Sequence, residues 1–173
     1  MLEQIKRRRA CRKYDSNRPV EDEKIQEILN AGLNAPSGMG RQTPIFVVFK
    51  DKEMRDRLMK LNRSFGGRPG IDDPFYGAPV VILVAAHKDG LSVEDGSASI
   101  TNMLIEATNQ GLGSCWIHRA KQEVESEEGK EILASLGINA EDYIGVGHVI
   151  LGYSLQETYP EKIIKDNRVF WFK

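Results

Sequence analysis

"PVVILVAA", residues 79–86, is apolar at every position. A strand with one face in water alternates apolar and polar side chains, whereas one without alternation is covered on both faces. The stretch therefore reads as the central strand of a sheet with helices around it. Three more runs of strand character lie around it in the chain: "IFVVF" at 45–49, "GSCWIH" at 113–118 and "GVGHVILGY" at 145–153. "RVFWFK" at 168–173 closes the chain and reads as a final strand. Together they predict a sheet of about four or five strands.

The segments between carry helical periodicity. A short helix is expected over 2–9. A second spans 21–33, where Ile25, Ile28, Leu29 and Leu33 recur at helical spacing after Pro19. A third spans 52–61, with Asp51 as its cap and Met54, Leu58 and Leu61 on one face. Residues 95–110 carry Ala98, Ile100, Met103, Leu104, Ile105 and Ala107 around much of the circumference, which places this helix in a core or a subunit interface, with Gly111 to stop it. Residues 121–136 read as one acidic amphipathic helix ended by Gly137. The longest irregular segment is 62–78, "NRSFGGRPGIDDPFYGA"; a loop of that length in a compact domain is usually functional or mobile. With no repeat, low-complexity tract or linker, residues 1–173 form one domain of α/β or α+β class.

Bulk properties narrow the function. Hydrophobic residues make up 40% of the chain and charged residues 28%, a globular composition. The formal net charge of −1 gives no global case for nucleic acid or an anionic membrane. No apolar run approaches the roughly 20 residues that span a bilayer. The basic start "MLEQIKRRRA" is not followed by the apolar segment of a secretory signal. Cys11 and Cys115, far apart and alone, fit reduced thiols in the cytoplasm.

Arg7, Arg8, Arg9, Arg12 and Lys13 form the densest positive cluster. It reads as a solvated helix end, a nucleic-acid arm or a phosphate site, since guanidinium forks pair with phosphate oxygens. The loop "APSGMGRQTP" at 35–44 is longer and more polar than a turn before a strand requires, and offers backbone amides at Gly38 and Gly40, the Ser37 hydroxyl and the Gln42 amide. His87, His118 and His148 stand singly, without metal-ligand spacing, and His148 reads as a satisfied strand residue. Cys115 and His118 would fall on opposite faces of a strand, and Glu125, Glu127 and Glu128 read as a solvated helix face. No acid–base pair, nucleophile or metal set stands out. An enzyme of this composition would let a cofactor carry the chemistry.

"RRACRKY" (8–14), "APSGMGRQTP" (35–44), "DGSASITNMLIEATNQGLGSCWI" (95–117) and "VGHVILGY" (146–153), in that order, resemble the motifs of the FMN-dependent nitroreductase family. "HRAKQEVESEEGKEIL" (118–133) is similar to a small-sized subgroup. The resemblance implies an α+β fold in which helices surround a central, mainly antiparallel sheet and the C-terminal strand is exchanged with the partner of a homodimer. It implies one FMN at each of two interface sites, reduced by NADH or NADPH and reoxidised in ping-pong fashion by a small-molecule acceptor such as a nitroaromatic, a quinone or a flavin. Arg8, Arg9 and Arg12 match the arginines that hold the phosphate and ribityl chain. Pro36, Ser37, Gly38, Met39, Gly40 and Gln42 match the loop, which in the family reaches the partner's flavin. Cys115, Trp116, Ile117 and His118 match the segment along the isoalloxazine, and Lys162 and Lys165 a basic pair that helps neutralise phosphate. Ala10 stands where the family has serine, and Gly40 where it has asparagine, so two polar contacts are missing. Other readings are a flavin storage or sensor protein with little turnover and, from the basic arm alone, a nucleic-acid binder.

Overall fold

A computed structural model describes residues 1–172. Its framework is a four-stranded antiparallel sheet in the order β1-β2-β4-β3, formed by Pro44–Phe49 (β1), Val80–His87 (β2), Gly113–Ile117 (β3) and Tyr143–Gly152 (β4). The run 79–86 is the central strand that its composition predicts: β2 pairs with β1 on one side and β4 on the other, and its residues from Val80 to Ala86 are buried. Side chains then alternate between two cores. Val81 and Leu83 join Val47, Phe49, Cys115 and Ile150 beneath α3 (Lys52–Ser64), α5 (Ala120–Glu125) and α6 (Glu127–Ala134). Val80, Ile82 and Val84 join Ile25, Ile28, Ile100 and Met103 on the opposite face, supplied by α2 (Asp22–Leu33) and α4 (Ser92–Asn109). The pleat assigns successive residues to opposite faces, and helices on both sides make every position apolar.

α4 is buried along Ile100, Met103, Leu104 and Ala107, in keeping with its apolar circumference. Its approach to α2 depends on Gly32, where a Cβ would lie 2.9 Å from Met103 Cγ. Leu33, one residue on, breaks the expected apolar face of α2 and is 59% exposed. The first helix is shorter than expected, Glu3–Arg7 (α1), and α3 continues to Ser64 with the Asp51 carboxylate accepting from the Met54 amide at its start.

The single helix expected over 121–136 is two. Ser126 is extended (φ −81°, ψ 156°), and its hydroxyl caps α6 by accepting from the Gly129 amide at 3.0 Å. A Cβ on Gly129 would sit 1.8 Å from the Glu123 carbonyl oxygen, so the junction closes only around glycine. Serine offers the backbone a local alternative to the helix, and a periodicity count cannot see it.

Beyond β4 the chain makes one bridge, Tyr14 to Ser154, and has no regular element over residues 155–172. Ile163, Ile164, Val169, Phe170, Trp171 and Phe172 are all more than 70% exposed. The strand expected at 168–173 is therefore not formed within the chain, and Lys173 of that run lies outside the described residues. At the other side of the sheet, β1 has no ladder partner on its outer edge among the described residues.

Candidate functional site

After α1 the chain becomes extended and runs beside β3, with Ala10 bridging Ser114 and the Cys11 amide donating to the Ser114 carbonyl at 2.9 Å. The arginines along this segment take different places. Cys11 turns into the core. Arg9, on the Cys11 side, folds back to donate to the Lys6 and Arg8 carbonyls at 2.6 and 2.9 Å, and with Arg7, Gly113, Ser154 and Tyr159 lines a small cavity of about 180 Å3. Arg8 and Arg12, two steps to either side of Ala10, act on Cys115 instead. Burial pushes the Cys115 thiol up, and the positive charges of Arg12 and Arg8 oppose that shift. The expected trio is thus divided: Arg12 lines the cavity beside Cys115 with the charge of Arg8 acting there, while Arg9 is turned back on the end of α1 and lines the smaller cavity. Ala10, where the resemblance expects serine, packs against the core.

Arg12 and residues Cys115 to Arg119 line a second cavity of about 230 Å3, together with Asn62 of α3 and Gly66, Gly67, Arg68, Pro74 and Tyr76 of the long loop. Trp116 lies across β4 at Gly147, where a Cβ would come within 2.2 Å of the indole Nε1. Arg119 holds a left-handed conformation (φ 84°) and opens α5. Behind the turn lies a polar network. The Asn62 amide donates to the His118 carbonyl (2.9 Å) and to the Glu123 carboxylate, and Glu123 Oε2 lies 2.7 Å from Nε2 of His148. Asn62, Glu123 and His148 are all buried. His148 is thus the satisfied strand residue expected at Nε2, while its Nδ1 has no partner among the described residues. The long loop that lines the cavity is held as well. Asp73 accepts from the Phe75 and Gly77 amides and from Arg55, which also donates to the Ala78 carbonyl.

The 35–44 loop is elsewhere. Pro36, Ser37 and Gln42 line a cavity of about 260 Å3 with Gly32, Leu33, Phe46 and Ser99, away from the arginines. Met39, Gly40 and Gln42 all have positive φ (56°, 68° and 51°). The strain is carried by two anchors. Ser37 Oγ accepts from the Gln42 amide at 2.9 Å, closing the loop on itself. Asp95 of α4, 4% exposed, accepts from the Gly38 amide and from the Thr43 hydroxyl, both at 2.9 Å, and so grips both ends. Within one chain, therefore, the loop and the Arg12–His118 cavity are separate. Lys162 and Lys165 lie on the exposed C-terminal arm, in neither cavity.

Asn62, Arg68, Tyr76, Arg119, Asp95 and Glu123 were not singled out by sequence. Glu123 carried one signal: it shares a helical face with Ala120 and Val124, which are buried. Asp95 opens the motif 95–117 that carries the family resemblance, but nothing local marks it as a loop anchor.

The cavity combines the guanidinium groups of Arg12, Arg68 and Arg119 with two aromatic residues, Tyr76 and Trp116, and no carboxylate in its lining. Among the described residues no acidic side chain lies within 4 Å of the charged nitrogens of Arg8, Arg12, Arg68 or Arg119, whereas Arg55 and Arg57 are both paired. Such a donor set suits an anion attached to a flat apolar body. Comparison with known proteins agrees. The nitroreductase family model matches residues 5–153. A relative from Archaeoglobus fulgidus, provisionally named an NADH dehydrogenase/NAD(P)H nitroreductase, is 32% identical over 160 residues, covering 90% of this chain and 86% of its own. The structure is similar to that of a nitroreductase with bound FMN from Bacteroides fragilis (27% identity, TM-score 0.87, 99% of this chain and 97% of that one). It is also similar to an FMN-dependent nitroreductase from Clostridium difficile (31% identity, TM-score 0.73, 96% and 99%). With most of its length matched by the family model and its sheet, helices and arginine-lined cavity in place, the chain belongs to the nitroreductase family.

Proposed function

We propose that the protein is an FMN-dependent oxidoreductase that uses NADH or NADPH to reduce small acceptors such as nitroaromatics, quinones or flavins. The observation that carries this reading is Arg12, without a carboxylate partner among the described residues, lining an open cavity along the 115–118 segment that has no acid–base pair of its own, with the charge of Arg8 acting on Cys115 from nearby. The residues fit the cofactor: Arg8 and Arg12 would hold the dianionic phosphate, and the backbone of Trp116 to His118 would run along the ring. FMN, when bound, supplies the hydride chemistry, so the protein has to bind, orient and leave one face open. Asn62 and Glu123 serve that end by fixing the His118 carbonyl and hence the course of the segment. The purified protein should show a flavin spectrum that NADH or NADPH bleaches without oxygen and that an added quinone restores. A bound flavin that neither donor reduces would make it a storage or sensor protein.

The working unit in this reading is a homodimer in the cytoplasm. The loop 35–44 belongs to the partner's site, which accounts for its separation from the arginines of its own chain. The arm from 155 onward, with its exposed Phe170, Trp171 and Phe172, would add to the partner's sheet at the open edge of β1 and bring Lys162 and Lys165 to the interface. Removing residues 167–173 should then give monomer or aggregate without flavin. A truncated chain that sediments as a yellow dimer would refute the exchange.

A further inference from the structure

We infer that the Gly66–Gly67 turn is the floor of a phosphate-monoester site formed by Arg63, Arg68 and Arg119, and that it receives the 2′-phosphate of NADPH. Arg63 comes from the last turn of α3 and Arg119 from the start of α5. Their guanidinium groups lie over the same turn. A Cβ on Gly67 would be 3.2 Å from Arg63 Nη1, and one on Gly66 would be 3.9 Å from Arg119 Nη2. Arg68 follows directly and lines the same cavity as Arg119, His118 and Arg12.

None of the three arginines has a carboxylate within 4 Å, and none of their side chains donates a hydrogen bond, among the described residues. The carboxylates nearest in the fold are committed elsewhere or face water: Asp73 to Arg55, Glu123 to Asn62 and His148, while Asp72 is exposed. Like charges brought onto one turn repel, and a bound dianion turns that cost into attraction. Guanidinium forks match phosphate oxygens in pairs, and two residues without side chains leave the floor open for them. Gly66, at φ 91°, holds a conformation that a residue with a side chain rarely adopts.

The inference rests on the nicotinamide-using reading above. In that reading two phosphate monoesters visit the protein, the 5′-phosphate of FMN and the 2′-phosphate of NADPH. That reading gives Arg8 and Arg12 to the first, and the Gly66–Gly67 cluster lies at the Arg68–Arg119 end of the cavity, where Arg63 joins it from outside the lining.

The test uses the flavin-loaded protein and an Arg68→Ala/Arg119→Ala variant, with Arg68→Lys/Arg119→Lys as the charge-preserving control. Three quantities are read: KM for NADPH and for NADH, Kd for FMN on the apo-protein, and Kd for 2′,5′-ADP against 5′-AMP by calorimetry. The alanine variant should raise KM for NADPH at least about tenfold more than KM for NADH, the scale of one lost charge-assisted pair. It should also abolish the preference for 2′,5′-ADP over 5′-AMP, and the lysine variant should restore part of both. If instead Kd for FMN weakens about tenfold and both donors suffer alike, the monoester is that of the flavin, and the NADPH assignment falls. If neither donor nor flavin responds, the site itself is refuted. Loss of flavin reduction by both donors in the unmodified protein would overturn the oxidoreductase reading, and the two adenine nucleotides would still report on the arginine cluster. A variant that fails to fold is recognised by its far-ultraviolet spectrum, and the single Arg68→Ala change, at an exposed position, then gives the same readouts.

Discussion

Two polar segments flank the sheet, and each is held by one buried carboxylate, but the two anchors differ. Asp95 binds a backbone amide and a hydroxyl within a single exposed loop, at Gly38 and Thr43. Glu123 joins side chains from three elements: its own helix α5, Asn62 of α3 and His148 of β4. Asp95 therefore fixes the shape of a loop that carries three positive-φ residues. Glu123 fixes a turn by making it part of the core. A loop proposed to reach another subunit can be braced locally, whereas a segment beside a flat cofactor has to keep its position relative to the whole sheet.

The sharpest way to break this contrast is to remove Glu123. Glu123→Ala leaves the Asn62 amide and the His148 ring without their buried acceptor, and should cost about 3 kcal/mol of global stability by urea unfolding. Glu123→Gln keeps an acceptor for Asn62 and should cost about 1 kcal/mol. A loss for the alanine variant no larger than that of a surface substitution would mean that the turn holds itself.

Next is the arginine division beside β3. Arg8→Ala should weaken FMN binding by about 1.5–3 kcal/mol in titrations of apo-protein. Arg9→Ala should weaken it by less than about 1 kcal/mol, since Arg9 spends its hydrogen bonds on the end of α1. Equal losses would show that the hydrogen bonds of Arg9 to α1 do not take it out of the flavin site.

Asp95→Ala should lower global stability by about 1–2 kcal/mol, less than the Glu123 change, because the amide and hydroxyl left behind can reach water once the loop loosens. Its mark should be local: amide hydrogen exchange should accelerate at Gly38 and its loop neighbours while β2 and β4 keep their protection. Equal acceleration in the central strands would place Asp95 in the core network after all.

The smallest expected effect concerns Cys115. Its thiol is held above the ordinary range by burial, with Arg12 and Arg8 only partly opposing. A raised thiol favours the protonated folded state, so its contribution is full below the ordinary thiol range and is lost as pH rises through that range toward the folded value. Alkylation near pH 8 should be slow in the folded protein and fast in urea. Rapid labelling of the folded chain would mean that this wall of the cavity opens.

How much was readable in advance follows from the range over which each signal acts. The uninterrupted apolar run 79–86 identified the central strand because two covered faces leave no polar position. Asp51, Gly111 and Gly137 marked helix ends by chemistry confined to one turn. The same locality explains the misses: the Ser126 break needs the contact of Gly129 with the Glu123 carbonyl, and Leu33 continues a helical stripe that the sheet does not reach.

The sequence by itself determined a sheet covered by helices, through an uninterrupted apolar strand and helical periodicity, and it marked an arginine cluster and a polar loop as candidates, through their composition. Tertiary structure decided which of those residues meet. Arg9 turned back on the end of α1, while Arg12 entered the cavity beside β3. Arg63, Arg68 and Arg119 came together over one glycine turn, although α3 and α5 lie far apart in sequence. Glu123, one acid among many in an acidic stretch, became the central acceptor of a buried network. Convergence of this kind depends on long-range packing, for which no window of neighbouring residues carries a record.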